Sequence, residues 1–241
     1  MRIQFDLNPN HLAAALLMAS DDESRYVLNG VRVELDGPNV RCVSTDGRRL
    51  IVLNDHNDGR DLANLGFILH KDTVRRILPQ CAADICDECG TGIKYSKIIG
   101  NLSIEINAEP NDFYVEIFTD RGVVCCTTAN HGLIDGQYAN WKQVVQTTPR
   151  CCAIPAVSFN QKLLDDFRRA AQMLRGSANA PTLFFHGEFH ALTVRFPGLE
   201  EFYGLLMPVR ADHFEKPATP LPPWLHTLLT APTETIPTRN P

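Results

Sequence analysis

The sequence predicts an α+β protein built from one supersecondary unit, β-α-β-β-β, used three times. Three observations predict it. Three helix-forming segments recur along the 241 residues, each preceded by a short apolar strand. Each is followed by further short strands, set apart by Gly, Asp and Asn breakers. A content of 44% apolar and 21% charged residues is that of a chain able to bury a core.

The first unit opens with a strand at 3–7. Asn8 is a helix cap and Pro9 suits the first helical position, where its missing N–H costs nothing. Leu12, Leu16, Leu17 and Met18 mark the buried stripe of a short Ala-rich helix that ends by Ser20. After the acidic loop Asp21-Asp22-Glu23, strands are expected at 26–35, 40–45 and 49–53. They are separated by Asp36-Gly37-Pro38-Asn39 and by Asp46-Gly47.

The second unit repeats the order. A strand at 66–70 leads to a helix capped by Asp72, ended by Pro79 or by the cysteine-bearing loop beyond it. Strands are expected at 92–99, 102–107, 113–118 and 122–127. In the third unit a strand at 156–159 precedes Asn160, a cap. The helix then runs to Arg175 and stops at Gly176, with Leu163, Leu164, Phe167, Ala171 and Leu174 on its apolar face. Strands at 182–185, 190–195 and 202–209 complete it. The expected organisation is therefore 1–146 as a domain of two units, 153–210 as a third half-domain unit, and 211–241 as a Pro-rich tail. Within the tail only Trp224-Leu225-His226-Thr227-Leu228-Leu229 is apolar. It reads as a turn laid on the body or as a docking segment.

Several function classes lose support. No uncharged apolar run reaches the roughly 18 residues of a membrane helix, and the N-terminus lacks a signal-type apolar stretch, so a cytoplasmic protein is expected. A net charge of −5 argues against coating nucleic acid with the whole surface, though not against a local basic face. The eight cysteines are expected to be reduced. Cys81-x4-Cys86-x2-Cys89 has the spacing of three ligands of plant-type iron–sulfur proteins, which keeps a Cys-ligated metal or cluster as an alternative to small apolar fillers. His186 and His190 lie four apart across a Gly turn, as surface histidines or a metal pair. No G-x-S-x-G, phosphate loop, dinucleotide fingerprint or H-E-x-x-H is present, so neither an enzyme nor a cofactor is expected.

Five segments carry a resemblance. Arg25-Tyr26-Val27-Leu28-Asn29-Gly30-Val31 leads to Val43-Ser44-Thr45-Asp46-Gly47-Arg48-Arg49-Leu50. Further on come Gly136-Gln137-Tyr138-Ala139-Asn140-Trp141-Lys142-Gln143-Val144-Val145, then Phe159-Asn160 with Leu163-Leu164, then Leu206-Met207-Pro208-Val209-Arg210. In this order they resemble the central domain and the end of the last domain of the bacterial DNA polymerase III beta subunit, the sliding-clamp family. Ser44, Arg48, Ala139, Gln143 and Leu163 depart from that family's pattern. The family's chain has six units where this one has three, so a ring of the family's size would need four such chains.

The resemblance implies a DNA-clamp fold, with continuous outer sheets and helices on the inner side. It also implies a non-catalytic processivity factor that binds double-stranded DNA and partner peptides. On the DNA side the candidates are Lys71, Arg75 and Arg76 of the second helix, and Lys162, Arg168, Arg169 and Arg175 of the third. The first helix offers only His11. The other reading of these cations is an ordinary solvated helix face, since Asp165 and Asp166 share the third helix. For peptide motifs of polymerases and repair proteins the implied groove is Leu28, Thr45, Gly47, Arg48, Arg49, Leu50, Val144, Asn160, Met207, Pro208, Val209 and Arg210. Arg49 and Arg210 are suited to acidic groups. The other reading makes Leu28, Leu50 and Met207 plain core. Three functions follow: an oligomeric clamp around DNA, a monomeric adaptor or competitor that captures clamp-binding peptides without encircling DNA, and the metal protein.

Overall fold

The computed structural model describes residues 2–56, 62–81, 102–109, 112–119, 122–128, 131–145, 157–175, 180–187 and 190–209. The chain divides into two units, Met1–Pro208 and Val209–Pro241. The first contains all three repeats; of the second, only Val209 is described.

Strand β1 (Arg2–Leu7) alternates exposed and buried residues, sending Ile3, Phe5 and Leu7 inward. Asn8 Oδ1 accepts from the Asn10 N–H at 2.9 Å, and Pro9 opens helix α1 (Pro9–Leu16). Its residues Leu12, Ala13, Ala14 and Ala15 are all buried, because α1 packs against both other helices. Small side chains let three helices meet there. Strands β2 (Gly30–Gly37), β3 (Asn39–Thr45) and β4 (Arg49–His56) follow.

The second repeat is β5 (Leu62–His70), α2 (Lys71–Cys81), β6 (Leu102–Glu109), β7 (Asp112–Thr119) and β8 (Gly122–Thr128). Helix α2 buries Val74, Ile77 and Leu78 and keeps Pro79 in its last turn. The third repeat has α3 (Gln161–Arg175), β9 (Thr182–Phe184), β10 (Leu192–Arg195) and β11 (Phe202–Leu206). Asn160 caps α3, its Oδ1 accepting from the Lys162 N–H at 3.0 Å.

Two antiparallel sheets result, one in the order β1-β6-β7-β8 and one in the order β5-β2-β3-β4-β11-β10-β9. The first two repeats exchange their leading strands: β1 pairs with β6, and β5 pairs with β2. The third repeat joins by edge pairing, with β11 against β4 from Phe202↔Leu53 to Leu206↔Arg49. The large sheet is buried on both faces. Cys42, Ile51, Leu53, Phe67, Leu69 and Leu206 face the helices. Their sequence neighbours Val43, Leu50, Val52, Ile68 and Leu205 form a second core on the opposite face, together with Leu28, Tyr138 and Ala191. Near-continuous apolar runs such as Leu50-Ile51-Val52-Leu53 are what a doubly covered strand requires.

Three expectations are corrected. The strand expected from Tyr26 begins only at Gly30; 23–28 forms a 3-10 turn capped by Asp22, whose Oδ1 accepts from the Ser24 N–H. Gly30 is where the chain enters the sheet, and a Cβ there would lie 2.2 Å from the Leu69 carbonyl oxygen. The leading strand of the third repeat is reduced, among the described residues 157–159, to a single bridge position at Ser158. His11 is buried beside Asp55, with Nδ1 3.8 Å from Oδ2, so α1 offers no cation to its helix face. The strand expected at 92–99 lies outside the described residues.

Candidate peptide groove

The β3–β4 turn is built by its own side chains. Asp46 Oδ1 accepts from the N–H groups of Arg48 (2.8 Å) and Arg49 (3.0 Å). Thr45 Oγ1 accepts from the Gly47 N–H and donates to the Arg49 carbonyl. Gly47 has φ 84°, a left-handed conformation that favours glycine, and a Cβ there would meet Arg25 Nη1 at 2.7 Å. The Met207 N–H donates to the Arg48 carbonyl at 2.8 Å, tying the end of the third repeat to this turn.

Beside the turn lies a cavity of about 200 Å³ on the face of the large sheet away from the helices. Leu28, Leu50, Leu205 and Ala191 supply its apolar interior; Thr45, Gly47, Arg48 and Arg49 border it; Ala139, Asn140, Trp141 and Val144 form the opposite wall. That wall belongs to a segment strapped across the sheet. The Ile134 N–H donates to the Ile68 carbonyl, Tyr138 is buried, and Trp141 Nε1 donates to the Glu34 carboxylate at 3.3 Å. Met207 and Val144 are 43% and 50% exposed at the cavity, two large apolar side chains left to solvent.

Eight of the groove candidates therefore line one cavity: Leu28, Thr45, Gly47, Arg48, Arg49, Leu50, Val144 and Met207. Asn160 and Pro208 are not among its lining residues; Asn160 caps α3 instead. Val209 belongs to the second unit, and Arg210 lies outside the described residues. The role of Arg49 differs from the one implied. Its side chain is 9% exposed and turns to the helix side, where Nε meets Asp46 Oδ2 at 3.1 Å, Nη2 donates to the Leu17 carbonyl at 2.9 Å, and Nη1 pairs with Asp166. It holds the turn rather than meeting an incoming acid. Sequence reasoning missed Leu205, Ala191, Ala139, Asn140 and Trp141 as lining residues. Leu205 has a signal, its place two residues before Met207 in the chain; Ala191 has none.

Most of the helix cations have carboxylate partners. Lys71 meets Asp21 at 2.8 Å, Arg75 meets Asp72 at 2.9 Å, Arg168 meets Asp165 at 2.7 Å, and Arg169 meets Asp166 at 3.0 Å. The Arg168 guanidinium beside it holds the Asp165 carboxyl below the usual carboxylate range. Arg76, Lys162 and Arg175 are exposed. Four of the seven candidate cations of α2 and α3 are thus balanced by neighbouring acids.

Among the described residues no group of three or more His, Cys, Asp and Glu is placed to hold a metal. Cys81 is buried, its Sγ toward the Ile77 carbonyl at 3.5 Å, while Cys86 and Cys89 lie outside the described residues. His186 is buried with Nε2 2.9 Å from Thr193 Oγ1, whereas His190 is exposed. Among the described residues, no helix is long and apolar enough to cross a membrane.

Comparison with known proteins agrees with this architecture. Residues 9–73 match the family described as DNA polymerase III beta subunit, central domain. The beta sliding clamp of Treponema pallidum is 30% identical over 81 residues, 32% of this chain and 21% of that protein. The DNA polymerase sliding clamp of Bacillus subtilis superposes with a TM-score of 0.60 at 13% identity, over 88% of this chain and 64% of its own. The DNA polymerase III beta subunit of Thermotoga maritima gives 0.59 at 14% identity, over 86% and 65%. The chain thus spans about a fifth of the curated relative's length and less than two thirds of each solved chain. The sequence match is thus to the central domain of the DNA polymerase III beta subunit over residues 9–73, and the fold across all three repeats is that of the sliding clamps.

Proposed function

We propose that this protein is a non-catalytic, clamp-like accessory factor of DNA replication whose groove receives short apolar peptide motifs of polymerase or repair partners. One observation carries the reading. Eight residues from four segments distant in sequence converge on one cavity, and two large apolar side chains, Met207 and Val144, stand exposed at it. An apolar interior with a polar turn at its border suits an extended peptide, and a flexible Met adapts to several side chains.

The clamp reading adds that several copies surround double-stranded DNA, with the cations of α2 and α3 toward phosphates. The pairing of those cations with Asp21, Asp72, Asp165 and Asp166 favours a second reading, an adaptor that binds peptides without encircling DNA. Two measurements test them. A fluorescein-labelled clamp-binding motif peptide from a bacterial replicative polymerase binds in both readings, and its failure to bind removes both. Molar mass by light scattering then separates them: a ring-sized oligomer, retained on circular but not on linear DNA, supports the clamp, and a monomer supports the adaptor.

A further inference from the structure

We propose, resting on the groove reading above, that peptide binding in the groove is coupled to anion binding on α3 through a single carboxylate, that of Asp166. The side chains of a strand alternate between its faces, so β4 sends Leu50 toward the groove and Arg49 toward the helices. The groove turn is therefore held from the far side of the sheet. The guanidinium of Arg49 is enclosed by Asp46, the Leu17 carbonyl and one oxygen of Asp166. The other oxygen of Asp166 accepts from Arg169 Nη1 at 3.0 Å, one turn along the same helix.

The two arginines differ in access. The Arg49 side chain is 9% exposed and the Arg169 side chain 36%. One buried carboxylate thus serves an enclosed guanidinium wired to the groove and another that solvent reaches. An anionic oxygen arriving at Arg169 competes with Asp166 for its N–H groups. The Asp166 charge then falls on Arg49 alone, in a low-dielectric setting where the pairing is strong. That fixes the turn from Asp46 to Arg49, and with it Met207, which is bonded to the Arg48 carbonyl. Anion binding on the helix side raises affinity in the groove, and by linkage a bound peptide raises affinity for the anion by the same factor.

The test uses the full chain, the labelled motif peptide and inorganic polyphosphate as the anion. The expected result is a peptide Kd about fivefold lower at saturating polyphosphate. In Arg169→Ala that ratio falls to one, whatever the starting affinity, whereas Arg168→Ala, which alters the neighbouring pair with Asp165, keeps it. Asp166→Asn abolishes the ratio and Asp166→Glu restores part of it, a pattern that loss of fold alone does not give. A peptide affinity indifferent to polyphosphate, or a ratio that survives Arg169→Ala, overturns the coupling and leaves the groove reading standing. Absence of peptide binding with and without polyphosphate overturns both.

Discussion

Arg49 on β4 and Asp166 on α3 are 117 residues apart in sequence and form an ion pair in which both side chains are 9% exposed. The pair joins the first repeat to the third on the helix side, while β4 and β11 join them through the sheet. Removing one partner leaves the other buried without compensation. We expect Arg49→Ala and Asp166→Ala each to lower the unfolding free energy by about 3 kcal/mol. The double variant should lose clearly less than their sum. Urea titrations of the four proteins measure this; additivity would show that the pair is not energetically linked.

The groove predicts a separation of binding from stability. Met207 and Val144 are exposed, so Met207→Asp and Val144→Asp should shift unfolding by no more than about 0.5 kcal/mol while weakening the labelled peptide by about tenfold or more. Leu50→Asp, in the second core, should instead lower the melting temperature sharply. Fluorescence anisotropy and thermal melts of the three variants decide it; a Met207→Asp protein that binds peptide normally counts against the groove.

His11 predicts a pH dependence. Burial lowers its pKa below the ordinary 6.5, outweighing the opposing fields of Asp55 and Glu201. The folded state then holds imidazole neutral while the unfolded chain still takes up a proton. Stability is full above about pH 6.5 and declines as pH falls from there toward the folded-state pKa. Asp21, Asp22, Asp36 and Asp165, all lowered by hydrogen bonds to neighbouring groups, act in a separate and more acidic window, below 3.8. Melting temperatures between pH 5 and 8 should fall on acidification in the native sequence and be flatter in His11→Gln.

Gly204 sits on the Phe167 ring. A Cβ there would lie 2.7 Å from Phe167 Cε1, and that ring packs edge-on against Phe202 at 6.3 Å between centroids. Gly204→Ala should cost about 1–3 kcal/mol through overpacking, and Phe167→Leu in the same chain should recover part of it. Chemical denaturation of the single and double variants checks this.

In the clamp reading, duplex DNA affinity falls with salt, and Arg175→Ala should flatten the slope of log K against log salt by about one. A slope unchanged in Arg175→Ala, Lys162→Ala and Arg76→Ala together would favour the adaptor reading.

Local chemistry made much of the fold legible. Asn8 and Asn160 cap helices as their side chains dictate, and the Asp46-Gly47 turn is visible as a turn from composition alone. The exchange of β1 and β5 was not legible, because nothing in a strand's own residues says which sheet it joins. The resemblance brought together the β3–β4 turn and Met207, which border one cavity, but not the direction of Arg49, which depends on strand alternation against a helix from another repeat. The 3-10 turn at 23–28 was hidden by the β-like run Tyr26-Val27-Leu28, overruled by the Asp22 cap and by the Ser20 N–H donating to the Leu28 carbonyl.

The traded strands have a further consequence. With β1 completing the sheet of the second repeat and β5 that of the first, neither half can satisfy its backbone alone. The pair is interlocked like clasped hands, so it should melt in a single cooperative step, and a polypeptide cut down to either half would be left with an unclosed seam prone to clump.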